Sequence, residues 1–246
     1  MTTLTLVHAR YQLLETIRIP IALIGSAFFP AASMLFFVVP FAGDDPVAAT
    51  YATASMVTFS IMVSSLFTYG VGVADDRSQP WDGYMRTLAA GAAPRFAGRI
   101  LAGMAMSLVS LVPVVLIGAL FTEATTTALG FLLGIATVFV GALPFTLMGL
   151  AIGYALPLKA ALVVCQVIFF PLAFGGGLMS APDQAPGFIQ TIAPYLPTRG
   201  AVELMWAAVG DYSPHATSLV AFAAWTVAAG AVAVWAYRRD EGRRFR

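Results

Sequence analysis

Apolar positions in this chain come in long unbroken runs, and the charged positions fall between them. Six stretches of more than 20 residues carry no Asp, Glu, Lys or Arg: 19–43, 46–74, 100–122, 124–158, 160–182 and 212–237. Crossing ~30 Å of hydrocarbon at 1.5 Å per residue takes roughly 20 apolar residues. Backbone amides in lipid find no water and must bond within their own segment, so each run predicts a helix. The spans are expected at 19–41, 50–73, 97–121, 129–155, 160–179 and 214–237. The fourth run is long for one span but too short for two and a turn, so it is trimmed at both ends. The fold class expected is all-α: one polytopic membrane domain, 1–246, with six transmembrane helices.

The segments between the runs have their own patterns. In residues 1–18, Leu4, Val7, Tyr11 and Leu14 share one helical face, with His8, Gln12, Glu15 and Thr16 away from it. That periodicity predicts a helix lying in the membrane interface before the chain turns inward at Pro20. Residues 74–95 form the longest of the expected cytoplasmic loops. Asp75, Asp76 and Asp82 stand near the start of a short helix after Pro80, and Arg86 follows Asp82 at i,i+4. Gly91 supplies a stop and Pro94 a new start. Trp81, Tyr84, Met85 and Leu88 give that helix an apolar side. Such a side fills a groove on a soluble partner or skims lipid headgroups, and the pattern alone leaves both open.

Residues 180–211 are too apolar for a free loop and too broken for a span. Pro182, Pro186, Pro194 and Pro197 interrupt them, and a helical stretch from 199 to 209 places Arg199 and Glu203 at i,i+4. Short re-entrant helices dipping into one leaflet are expected there. Just before them, Pro171 and the run Gly175, Gly176, Gly177 are expected to unwind or closely pack the end of the fifth span. No G-x-x-x-x-G-K-[ST] pattern occurs, so these glycines are not a phosphate loop.

Composition supports the membrane reading. The chain is 59% hydrophobic and 10% charged, where an ordinary soluble domain is roughly a quarter charged. Its mean hydropathy is +0.85. With residues 1–18 inside, only Arg199 of the 13 Lys and Arg falls on the other side. The positive-inside bias therefore puts both termini in the cytoplasm and favours an even number of spans. The first run is longer than a signal-peptide core and lacks an A-x-A site before Asp44, so an uncleaved anchor is expected.

Candidate chemistry is sparse. The single cysteine, Cys165, lies in an apolar run and reads as structural. His8 and His215 fall on opposite sides of the membrane. Asp44–Asp45 and Asp75–Asp76 read as solvated caps. No ionisable residue stands at mid-depth of a proposed span, where ion-driven carriers and intramembrane enzymes place theirs. No catalytic, cofactor-binding or metal-binding residue is expected, and no nucleic-acid partner. If the chain moves something, the energy arrives from elsewhere.

Several of these blocks resemble the type-2 permease family of ATP-binding-cassette transporters, the separate membrane subunits of bacterial exporters. The loop carrying Asp76, Arg77, Trp81, Met85, Arg86 and Leu88, followed by Pro94 and Gly98-Arg99, is similar to the family's coupling-helix loop. A second block runs from Phe170-Pro171 through Gly175–Gly177, Pro182 and Pro186-Gly187-Phe188 to Pro194 and Pro197. A third is Gly141-Ala142-Leu143-Pro144-Phe145, with Gly153-Tyr154 after it. The tail from Tyr237 to Arg244 is typical of actinobacterial members. One departure is visible: Asp75-Asp76-Arg77-Ser78-Gln79-Pro80 stands where many members carry Glu-Arg-Glu-x-Gly.

The resemblance implies a permease in a bacterial plasma membrane, with ATP and Mg on a separate ATPase subunit and a second permease copy or sister permease beside it. It implies that Trp81, Asp82, Tyr84, Met85, Arg86 and Leu88 couple to the ATPase, and that Pro171, Gly175, Gly176, Gly177, Pro182 and Pro186 form an outer gate. Family substrates are drugs, antibiotics, lipids or lipid-linked sugars, and an apolar, uncharged path favours a hydrophobic or amphipathic one. An ion-driven carrier and a lipid-modifying membrane enzyme are the competing classes; the first lacks its intramembrane acid, the second its polar constellation.

Overall fold

The computed structural model describes residues 2–18, 20–80 and 92–243, and among these the chain is helical with no strand. Helix α1 is Thr2–Ile17. Helix α2 begins as Pro20–Ser33, passes through a π-turn at Met34–Val38 and ends as Val39–Ala42. Helix α3 runs over Pro46–Ser78, with a π-turn at Phe67–Val71. Then come α4 (Ala92–Phe121), α5 (Ala128–Ala155) and α6 (Leu158–Gly175). A short α7 (Gly187–Ile192), a 3₁₀ turn (Ala193–Tyr195) and α8 (Pro197–Val209) lead to α9 (Ala216–Arg243).

Helices α3, α4, α5, α6 and α9 are long and apolar enough to cross a bilayer, and α2 contributes the apolar stretch Ala27–Ala42. The chain is an all-α polytopic membrane protein, as its apolar runs predict. Helix α3 is the central element. Of its apolar stretch 78% is buried, against 22% for α9, which sits on the rim. Around α3 stand α2, α4, α5 and α8, while α9 packs on α5 and α8. The core they share includes Met34, Phe59, Met62, Leu66, Phe145 and Trp206.

Local chemistry sets these elements. The Asp45 carboxylate accepts from the amides of Val47 (2.8 Å) and Ala48 (2.9 Å), with Pro46 opening the first turn of α3. Asp45 is thus the cap its position suggests. Thr127 caps α5 by accepting from the Gly130 amide at 2.9 Å. Gly149 and Gly153, four apart on α5, let it lie directly on α3. A Cβ at Gly153 would come within 2.5 Å of the Tyr69 carbonyl oxygen, and one at Gly149 within 3.0 Å of that of Ser65. Between α3 and α4 the contact is polar: Ser60 Oγ reaches the Ser110 carbonyl at 3.2 Å and Ser64 meets Ser107 at 3.3 Å.

Two helix ends differ from the sequence reading. Helix α3 continues to Ser78, past the end at 73 inferred from hydropathy, because Asp76 and Arg77 find partners on other helices. Asp75 and Asp76 therefore belong to the last turns of α3 and are not solvated caps of a following helix. Helix α6 covers Leu158–Gly175 and stops short of 179. In α1, Leu4, Val7, Tyr11 and Leu14 are all exposed, while the opposite face, through Thr5, His8 and Ala9, rests on α4 at Gly98.

Candidate functional site

A cavity of about 650 Å³ opens between α1, α2, α3, α4 and α6. Its wall is apolar and rich in aromatic rings. Phe169 is the hub, with ring centroids of Phe29, Phe59, Phe67 and Phe170 at 6.3, 6.2, 6.1 and 4.0 Å. The π-turn of α3 supplies Phe67, Thr68 and Val71 to the lining. An extra residue in one helical turn redirects the side chains that follow, and such turns recur at functional sites. At the end of the bundle that carries α1, the lining becomes charged: Glu15 on α1, Asp75 and Asp76 on α3, Arg99 on α4. Arg99 pairs with Asp76 and donates to the Gly72 carbonyl at 3.3 Å. The sequence suggests an uncharged path; this cavity has a charged rim assembled from three helices far apart in sequence.

At the same end, Arg77 ties three helices together. One Nη donates to the carbonyls of Gly153 (2.6 Å) and Leu156 (3.1 Å), closing the last turn of α5, and the other meets Asp240 of α9 at 2.5 Å. The guanidinium also sits 5.9 Å from the Tyr154 ring, which packs edge-on against Tyr237. These contacts lie at the root of the segment expected to couple to an ATPase. Trp81, Asp82, Tyr84, Met85, Arg86 and Leu88 themselves lie outside the described residues, but both of the segment's stems are fixed, α3 and α4 being joined through Asp76 and Arg99.

The opposite end gathers the other expected residues. Pro171 stands inside α6. The Gly177 amide donates to Phe174 and that of Leu178 to Ala173, both at 3.1 Å, with Gly177 at φ +77°. This is a Schellman closure, and Leu178 and Ala173 are buried together in the accompanying apolar contact. Gly175 and Gly176 face Leu196 and Thr198 at the start of α8, where a Cβ on Gly176 would meet that of Thr198 at 2.5 Å. Pro182 and Asp183 (φ 59°) form a turn closed by the Gln184 amide on Ala181. Pro186 caps α7, its carbonyl accepting from Ile189 and Gln190.

That turn aims Asp183 at Arg199, 3.2 Å away. Arg199 Nε holds Glu203 at 2.5 Å, the i,i+4 pair the spacing predicts. Glu203 is fully buried and also accepts from the His215 amide (2.8 Å), His215 Nδ1 (3.2 Å) and Ser218 (3.1 Å). The Tyr212 hydroxyl bonds Arg199 and His215, and burial, then the Glu203 charge, pushes its pKa up to about 12. No local pattern marks Asp183, Tyr212, His215 and Ser218 as partners of this pair; only the fold brings them in. Among the described residues, no group of three or more His, Cys, Asp or Glu could hold a metal ion.

The sequence profile described as ABC-2 type transporter matches residues 3–209. The chain belongs to the ABC-2 type transporter family. It is 26% identical over 160 residues, 65% of its length, to YvfS of Bacillus subtilis (strain 168), which carries the name of a transport permease. The chain spans 65% of the length of that curated relative. The region matched to the ABC-2 family takes in α1 to α8, hence the cavity, the Asp76–Arg99 pair and the Arg199–Glu203 knot; α9 lies beyond it. This ABC-2 chain is therefore a multi-pass membrane component of a transporter, with a cavity of ligand size beside a cross-braced helix end.

Proposed function

We propose that this chain is the membrane-spanning permease subunit of an ATP-binding-cassette exporter, moving a hydrophobic or amphipathic compound such as a drug, antibiotic or lipid outward. The observation that carries this is the cavity of about 650 Å³, set directly above the stems of residues 81–91 in a chain of the ABC-2 family. ATP and Mg are bound and used on a separate ATPase subunit. That subunit docks on Trp81, Asp82, Tyr84, Met85, Arg86 and Leu88, and a second copy or a sister permease completes the assembly.

Both termini and α1 face the cytoplasm of a bacterial cell, which the distribution of Lys and Arg supports. The exposed apolar face of α1 lies in the inner leaflet. Helices α7 and α8 occupy the outer leaflet, and Pro171, Gly175, Gly176, Gly177, Pro182 and Pro186 bound the outer gate. Movement of the docked ATPases reaches the cavity through α3, whose cytoplasmic end is gripped by α4, α5 and α9.

The test is to coexpress the tagged chain with ABC ATPase subunits of the same genome and to purify it through the tag. The complex is expected to hydrolyse ATP and to lose coupling when Leu88→Asp is introduced, whereas the chain alone does neither. Transport driven by a pH gradient with no ATPase present would replace this reading with that of an ion-driven carrier.

A further inference from the structure

The cavity is not electrically neutral, and its charge has a direction. Among the described lining residues, three carboxylates, Glu15, Asp75 and Asp76, face one guanidinium, Arg99. Arg99 is already engaged by Asp76. Among the described residues, Asp75 has only a distant donor, the Gln79 amide at 3.4 Å, and Glu15 has no partner. Among the described lining residues, the Glu15 and Asp75 carboxylates therefore stand at the rim without a close cation. Deeper in, Phe67, Phe169 and Phe170 line an apolar wall, and Thr68 and Gln166 lie on it with no hydrogen-bond partner among the described residues.

Low-dielectric walls focus the field of the rim into the cleft, so an anion is repelled and a cation is drawn in. The ring faces are themselves attractive to a cation with a diffuse charge. A cavity of about 650 Å³ is in the range that holds a drug-sized molecule. A small hydrated ion would gain nothing from the aromatic wall, and a neutral lipid tail nothing from the carboxylates. The geometry points to an amphipathic organic cation as the substrate class: an apolar or aromatic body lodged between α3 and α6, with its positive centre toward Glu15 and Asp75. This rests on the cavity being the transport site proposed above, and it names what that site selects.

Two probes of nearly the same shape and opposite charge separate the possibilities. Binding of tetraphenylphosphonium and tetraphenylborate is measured on the full chain in nanodiscs, against nanodiscs without protein. The wild type is expected to bind the phosphonium at least about tenfold more tightly than the borate. Glu15→Gln and Asp75→Asn are each expected to weaken phosphonium binding about threefold to tenfold, and to leave borate binding unchanged or tighter. Glu123→Gln, at the far end of the bundle, is the charge-matched control and changes neither.

Both rim variants sit at the surface end of their helices, and a monodisperse elution profile confirms that each folds. Equal binding of the two probes, or phosphonium binding unmoved by both rim variants, overturns the assignment. The assay uses no ATP and no second subunit. Lost cation preference with ATP-driven transport intact therefore rejects the substrate class alone, and retained preference with no ATPase partner rejects the exporter reading alone.

Discussion

Arg77 of α3 holds Asp240 of α9 at 2.5 Å across 163 positions of sequence. Both side chains are largely shielded, 17% and 4% exposed, so their attraction is weakly screened and removing the carboxylate leaves the Arg77 charge without its counter-ion on α9. Asp240→Asn is expected to destabilise the folded chain by about 3 kcal/mol, read as a fall in the thermal midpoint in detergent. A loss below about 0.5 kcal/mol would place the pair among ordinary surface bridges.

The α3–α5 contact predicts a contrast between two glycines. At Gly153 a Cβ would lie 2.5 Å from a backbone oxygen of α3, which cannot yield without moving the helix. Gly153→Ala is expected to cost about 1–3 kcal/mol. Gly72, in the same region, has nothing within 4 Å of where its Cβ would stand. Gly72→Ala is expected to be neutral or to stabilise α3 by about 0.5–1 kcal/mol. Paired thermal melts of the two variants check this.

Gly177 closes α6 in the left-handed region at φ +77°. An L side chain there meets the following carbonyl, so Gly177→Ala is expected to cost about 1–2 kcal/mol. Gly187→Ala, at an open position, is the control and should leave the thermal midpoint in place.

At the α8 end, the Tyr212 hydroxyl has its pKa raised from 10.0 to about 12, by burial first and by Glu203 second. A raised pKa means that the folded state keeps its proton when the unfolded chain has lost it. The stabilisation is fully present below pH 10 and declines as pH rises toward 12. Tyr212→Phe is expected to flatten the fall in stability across that window. The difference in tyrosinate absorbance between the wild type and Tyr212→Phe, followed through the same titration, isolates this group among the eight tyrosines.

What was legible in the sequence follows from the range of the forces involved. Membrane spans are local: twenty apolar residues in a row announce themselves, and so do the Asp45 cap and the Arg199–Glu203 spacing. The end of α3 was not legible, because Asp76 and Arg77 read as loop charges until Arg99 and Asp240 are seen beside them. The same holds for His215 and Ser218, which complete the shell around Glu203 from the next helix. The charged rim of the cavity was missed for a related reason. Glu15, Asp75 and Arg99 each belong to a separate pattern, and only helix packing makes them one surface.

A soluble ATPase can drive this chain only from the side of the membrane that carries α1 and the Arg77–Asp240 brace. In a Cys165→Ala background, single cysteines replace Ser78 near that brace and Gln184 beside α7. Intact cells are then treated with a membrane-impermeant maleimide, and permeabilised cells serve as the reference. Labelling of position 184 in intact cells, with position 78 labelled only after permeabilisation, is the result predicted. Labelling of position 78 from outside would contradict it.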